Sequence, residues 1–341
     1  MALSTYIDVD SARSARFIAM AANRRLAHLV SDLDGATAVC ASGGVLSAAG
    51  AAAVAEKKVV LVVGMSGLVG GLVGPALAAA GHEVRALNRR PVDGYRTFTE
   101  DIADLDAILP AFEGVDTVIN MVNYVPQHPT HATSVAAAAP VTHADDVRGY
   151  IHTNVLGVYN VYEAARIAGV KRVVFTSAGA AVFNHVKDEP FAALAEGRWD
   201  DVPAGNTTLL DHTAPYRPNG VYGASKIWGE AIGRHYADDH GLSVVCVRLG
   251  HCQGDDGWDA EQDVCSLTPY QASIFISHHD TVNMYECCVG APDSVRFETV
   301  FAHSRNKGLF RDIAHAERTL GYRPRDGMGQ DEVGRWLKVR G

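Results

Sequence analysis

Val59-Val60-Leu61-Val62-Val63-Gly64-Met65-Ser66-Gly67-Leu68-Val69-Gly70 is the stretch on which the fold turns. Its continuous apolar run, mostly valine, reads as a strand buried on both faces. G-x-x-G-x-x-G follows at once, and 72–80 then reads as a helix that Gly81 ends. Between a strand and a helix each glycine has a use. Gly64 allows the tight turn, Gly67 lets the chain approach a pyrophosphate, and Gly70 lets the helix pack close to the strand. Around Ser66, Leu68 and Val69 the helix start leaves N–H groups free for an anion. The plainer alternative is a tight structural turn with no ligand.

Working outward, 83–87, 117–121, 173–176 and 243–249 are further short apolar runs, and 153–168 and 222–236 read as helices. Strands alternating with helices predict a Rossmann-type α/β fold, a doubly wound parallel sheet with a small C-terminal substrate-binding region. The expected organisation is an N-terminal extension over 1–57, a dinucleotide-binding domain over 58–250, and a mainly substrate-binding region over 251–341. Within the extension, 11–30 suits a helix with Phe17, Ala21, Leu26 and Leu29 near one face, and 35–55 is rich in small residues, as a linker or loose arm is.

The chain has 341 residues, 48% hydrophobic and 20% charged, an ordinary globular balance. That excludes a mainly disordered chain, a collagen-like repeat and a small disulfide scaffold. A formal net charge of -9 argues against contact with a phosphate backbone, so no nucleic-acid partner is expected. The uncharged stretches 35–55 and 59–81 are too small-residue-rich or too glycine-broken for a lipid span, so no membrane contact is expected. The N-terminus has no basic region leading into an apolar run, and Asp8, Asp10, Asp32 and Asp34 count against a transit peptide. None of the six cysteines forms a C-x-x-C pair, which points to a reducing cytoplasm.

After the second strand comes Asn88-Arg89-Arg90, without the acid that NAD sites place there for the ribose. Two guanidinium groups suit a 2′-phosphate, so NADP is expected ahead of NAD. The alternative is a pair of solvated loop arginines. Asp101 and Ile102 fall after the next strand, where an adenine contact would come; an exposed turn acid is the other reading of Asp101.

Tyr222-Gly223-Ala224-Ser225-Lys226 opens a helix, and the i, i+4 spacing sets phenol and ammonium on one face. A nearby cation favours the phenolate, which can take a hydroxyl proton while hydride leaves the same carbon. Lys226 can also reach a nicotinamide ribose. Y-x-x-x-K is common by chance and gains weight from the glycine turn upstream.

With these motifs in place, residues 58 to about 327 resemble the extended short-chain dehydrogenase/reductase family, also called the NAD-dependent epimerase/dehydratase family. Asn154 in His152-Thr153-Asn154-Val155-Leu156-Gly157 and the late Leu320-Gly321-Tyr322-Arg323-Pro324 belong to the same resemblance. Within the family the chain is most similar to uronate dehydrogenases and related sugar dehydrogenases, through 154–165 and 277–280. The resemblance implies that Tyr222 is the general acid/base, that Lys226 lowers its pKa and binds ribose, and that Asn154 supports the lysine relay. It implies cofactor contacts at Met121, Val122, Asn123 and Leu249, and substrate contacts at the strand end near Ser177 and Ala178 and at His251. It also implies a homodimer through the helices that start at Thr153 and Tyr222.

Two departures bear on substrate. Ala178 falls where the family has a Ser or Thr that polarises the substrate oxygen, leaving Ser177, one place early, as the candidate. The stretch 251–295 contains no Arg or Lys and carries Asp255, Asp256, Asp259, Glu261 and Asp263. A neutral or amine-bearing polyol is therefore expected over a uronate, unless a distant arginine folds in. Trp258 is either a sugar-stacking residue or a packing anchor, and the polar stretch 184–220 is expected to cover the substrate. His278-His279-Asp280 and His251-Cys252 lack ligand spacing, so no metal is expected. Cys287 and Cys288 read as buried helix residues. The expected function is NAD(P)-dependent oxidation or reduction of a sugar-like molecule. The alternatives are a nucleotide-sugar epimerase or dehydratase with tightly bound NAD, and a non-catalytic dinucleotide-binding protein.

Overall fold

The computed structural model describes residues 57–126, 143–202, 209–254, 267–331 and 334–340. The extension helix, Trp258 and the acidic residues around it lie outside the described residues, as does part of 184–220. The apolar runs form seven parallel strands: β1 (Val59–Val63), β2 (Glu83–Asn88), β3 (Arg96–Thr99), β4 (Thr117–Asn120), β5 (Arg172–Ala178), β6 (Ser243–Leu249) and β7 (Phe297–Ala302). Their spatial order is β3-β2-β1-β4-β5-β6-β7, with β1 in register with β2 on one side and β4 on the other. The order reverses between β1 and β4, so a crevice opens beyond their carboxyl ends, where the glycine turn lies. A separate antiparallel pair, β8 (Asp326–Gln330) and β9 (Trp336–Arg340), follows late in the chain.

The helices are α1 (Leu68–Ala79), α2 (Leu105–Ile108), α3 (Ala144–Tyr150), α4 (Val158–Ala168), α5 (Phe191–Glu196), α6 (Gly220–His240), α7 (Pro269–Ser273), α8 (His278–Gly290) and α9 (Ala314–Leu320). Strand alternation divides the core between two faces of the sheet. Val60, Val62, Val174 and Val245 pack with Val73 and Leu77 of α1 and Met284 and Cys288 of α8. Leu61, Val63, Val173 and Phe175 pack with Val161 and Tyr162 of α4 and Tyr236 of α6. No described helix is long and apolar enough to cross a membrane.

Several boundaries differ from the sequence reading. α1 begins at Leu68, not 72, because Gly67 is the last extended residue at φ -79 and ψ 171. The helix read as starting at 153 is continuous with α3 through a π-helical turn, Ile151–Gly157. The C-terminal region supplies β7 and α8 to the main sheet layer.

Candidate active site

Gly64 sits at φ 89; its N–H donates to the Leu87 carbonyl of β2 at 2.9 Å, and its carbonyl accepts the Gly67 N–H at 3.1 Å, which closes the turn. A Cβ on Gly70 would lie 2.6 Å from the Gly64 oxygen and 2.6 Å from Met65 Cα, so only glycine lets α1 come this close. Gly67 caps α1 with no side-chain bond, which leaves the first N–H groups of the helix for another acceptor. A Cβ on Gly64 would press on Val122 of the β4 loop, and Met121 donates its N–H to the Val63 carbonyl at 2.9 Å. Turn and loop thus form one wall.

The π-helical turn between α3 and α4 presents Asn154 inward, where it is buried. Its Nδ2 donates to Asn123 Oδ1 at 2.7 Å and to Ser225 Oγ at 2.9 Å, and its Oδ1 accepts the Tyr124 N–H at 2.9 Å. Ser225 in turn donates to the Tyr222 carbonyl at 2.8 Å. One amide therefore joins the β4 loop to the first turn of α6.

α6 itself lies close because glycines face the chain beneath it. A Cβ on Gly223 would stand 2.6 Å from the Ala180 carbonyl oxygen, and one on Gly229 would stand 2.2 Å from Phe175. Lys226 is only 3% exposed and donates from Nζ to the Thr176 carbonyl at 2.8 Å, at the end of β5. Burial lowers its pKa to about 8, although Glu230 pulls the other way. Lys226 Nζ stands 5.7 Å from the Tyr222 ring centre. The phenol of Tyr222 is nevertheless pushed up, by burial first and by Tyr150 second. In this arrangement the Lys226 ammonium is committed to a backbone carbonyl.

Ser177 requires a correction. It is 1% exposed, and its hydroxyl donates to Glu230 Oε1 at 2.6 Å. Glu230 lies two i, i+4 steps along α6 from Tyr222, roughly 12 Å down the helix axis. The same carboxylate accepts Arg248 Nε at 2.9 Å and Nη2 at 2.8 Å. The serine belongs to a buried ion pair and is not brought to the phenol. Ala178 ends β5 beside Leu249 of β6, with no hydroxyl to offer.

Comparison with known proteins matches residues 60–286 to the NAD dependent epimerase/dehydratase family. The chain belongs to that family. It is 31% identical over 270 residues to L-arabinose 1-dehydrogenase (NAD(P)(+)) of Haloferax volcanii, covering 78% of this chain and 96% of that one. It is 27% identical over 281 residues to the NAD-dependent glucose-6-phosphate dehydrogenase of the same organism, covering 80% and 94%. A solved structure of a mutant uronate dehydrogenase from Agrobacterium tumefaciens, complexed with NAD, superposes with a TM-score of 0.59 at 25% identity, covering 80% of this chain and 86% of that one. The protein is an NAD(P)-dependent oxidoreductase of this epimerase/dehydratase family, related to sugar dehydrogenases.

A nicotinamide dinucleotide fits what the family member presents beside its glycine turn. Asn88 and Asn120 end β2 and β4 on either side of β1, and each has a buried amide nitrogen without a partner. Two orphaned donors flanking the turn suit a polar ligand there. Arg89 and Arg90 are exposed just beyond Asn88. Asp101 accepts the Ala103 N–H at 2.9 Å and faces His152 Nε2 at 3.2 Å. Burial raises its pKa, but those bonds and the nearby Arg89 outweigh it and hold the carboxyl low. Ile102 packs where a Cβ on Gly157 would fall, and its carbonyl accepts Asn160 Nδ2 at 3.0 Å, so it also fixes the π-helical turn.

His251, beyond β6, is half-buried, bridges to Phe275 and has its pKa lowered by burial. His279, Asp280 and Asp326 bring ligand atoms within 4.8 Å of one another. Asp280 already accepts Ser304 Oγ at 2.6 Å and the N–H groups of Arg325 at 2.8 Å and Asp326 at 3.1 Å, which ties α8 to β8. Sequence reading missed Ser225, Tyr124, Tyr150 and Glu230. Glu230 alone carried a local signal, as the next i+4 step after Tyr222 and Lys226 on the same helix face.

Proposed function

We propose that the protein is an NADP-preferring dehydrogenase of a free, uncharged sugar, with Tyr222 as general acid/base. The observation that supports this most is the Asn123–Asn154–Ser225 chain of hydrogen bonds, which couples the cofactor-side loop to the helix carrying Tyr222 and Lys226. When bound, the nicotinamide takes up or returns the hydride. Tyr222 takes the hydroxyl proton on its phenolic oxygen. Lys226, held on the Thr176 carbonyl, stands ready for the ribose. The relative named as an L-arabinose dehydrogenase and the absence of Arg and Lys over 251–295 both favour a neutral sugar. Arg89 and Arg90, with no acid at Asn88, favour a 2′-phosphate.

We also read the protein as a cytoplasmic homodimer. The free thiols of Cys246, Cys287 and Cys288 agree with a reducing compartment. Ile151, Leu156, Tyr159, Ile167 and Trp228 are exposed apolar residues on or beside α4 and α6, the helices expected to pair. The test of function is to mix the protein with NAD or NADP and L-arabinose, other aldoses, uronates and sugar nucleotides, and follow the near-UV absorbance of reduced nicotinamide. Net reduction with a neutral aldose and NADP is expected. Cofactor that stays bound through turnover of a sugar nucleotide, without net reduction, would indicate an epimerase instead.

A further inference from the structure

We propose that Tyr150 is a second catalytic hydroxyl of this site, donating a hydrogen bond to the substrate oxygen that exchanges its proton with Tyr222. The proposal rests on the dehydrogenase reading above. During oxidation the C–H electron pair leaves as hydride to the nicotinamide and the O–H proton passes to Tyr222, while the carbon–oxygen double bond forms. Charge gathers on the oxygen as these bonds change, and a second donor there lowers the barrier.

The end of β5 does not provide that donor. Thr176 Oγ1 lies 2.7 Å from Tyr285 OH, Ser177 donates to Glu230, and Ala178 has no hydroxyl. Tyr150 ends α3 and is 4% exposed. Its ring centre is 6.2 Å from that of Tyr222, tilted by 44°. Tyr124 also packs edge-on against it, ring centres 5.2 Å apart. Tyr124 is itself fixed, donating from its hydroxyl to Asp146 at 2.8 Å and from its N–H to Asn154 at 2.9 Å. Gly149 makes room for it, since a Cβ there would stand 2.2 Å from the Tyr124 ring. The wall behind Tyr150 is therefore rigid. Among the described residues neither the Tyr150 hydroxyl nor the Tyr222 hydroxyl has a hydrogen-bond partner. Neither oxygen is among the buried polar atoms left without a partner, so each keeps access to solvent and to a ligand. Two neighbouring phenols, both unpaired, fit one shared acceptor supplied by the substrate.

Tyr150→Phe removes one oxygen and keeps the ring in its packing. With NADP and L-arabinose, kcat is expected to fall about a hundredfold, with KM and cofactor affinity nearly unchanged, because the bond strengthens as charge develops. Ala178→Ser in the Tyr150→Phe background should restore part of that loss by returning a hydroxyl to the strand end. Binding of the lactone of L-arabinonic acid to the enzyme with NADP, a pairing that holds no hydride to transfer, read by calorimetry, gives a measurement without turnover; Tyr150→Phe should weaken it about tenfold. If Tyr150→Phe keeps kcat and lactone affinity within about twofold while Tyr222→Phe is inactive, the role of Tyr150 is overturned and the dehydrogenase reading stands. If Tyr222→Phe is also fully active, the reading beneath the proposal fails with it.

Discussion

Glu230 holds the underside of the active helix through three hydrogen bonds, two from Arg248 and one from Ser177, all buried. A buried pair of this kind adds little over an apolar replacement, but breaking it strands a charge. Glu230→Ala should cost roughly 3–5 kcal/mol, seen as a lower denaturation midpoint in urea with an unchanged slope. Ser177→Ala should cost only about 1 kcal/mol and leave kcat nearly intact; a large loss of kcat would return Ser177 to the reaction. Lys226 titrates near 8 when folded, against about 10.4 in an unfolded chain. Between those values the unfolded chain binds more protons, so this group makes stability rise with pH across that window and contributes a constant penalty below it. Lys226→Met should remove that rise in a pH series of unfolding curves. The Tyr222–Lys226 pair was legible because i, i+4 spacing is local. Ser177 was misread because its face is set by strand parity, which it shares with Phe175, and by a partner far along the chain.

At the scale of elements, α4 and α6 are joined by Glu163. It accepts Arg166 Nε at 2.8 Å and Nη2 at 2.6 Å, and the Tyr236 hydroxyl at 2.8 Å from α6. Arg166 first, and then Tyr236 against the pull of burial, lower its pKa to about 2. A depressed carboxylate stabilises the fold above its unfolded pKa, about 4.3, and loses that contribution as pH falls toward 2. Glu163→Gln should therefore lower the melting temperature at neutral pH, with the gap to wild type closing between those values. The elements read best from sequence are those with unbroken burial. β6 is buried along nearly its whole length and runs over Ser243–Leu249, as its apolar run predicts. β3 is a partly exposed edge strand, so it has no apolar run to betray it. The π-helical turn was not legible either, since Gly157 is there to admit Ile102, a contact that only the folded chain makes.

For the whole molecule, the doubly wound order places the glycine turn, the β4 loop and the end of β5 around one crevice. Cofactor choice is then decided at its rim. Replacing Arg89 and Arg90 together by Ala should weaken NADP at least about tenfold and leave NAD little changed. Equal losses for both cofactors would refute a 2′-phosphate contact. The most direct test of the central claim is the absorbance of reduced nicotinamide when wild type and Tyr222→Phe are each given NADP and a neutral aldose such as L-arabinose. The account predicts net reduction by wild type, and a loss of about a thousandfold or more in Tyr222→Phe with NADP still bound. No reduction by cofactor-loaded wild type with any neutral aldose, or a Tyr222→Phe protein as active as wild type, would contradict it.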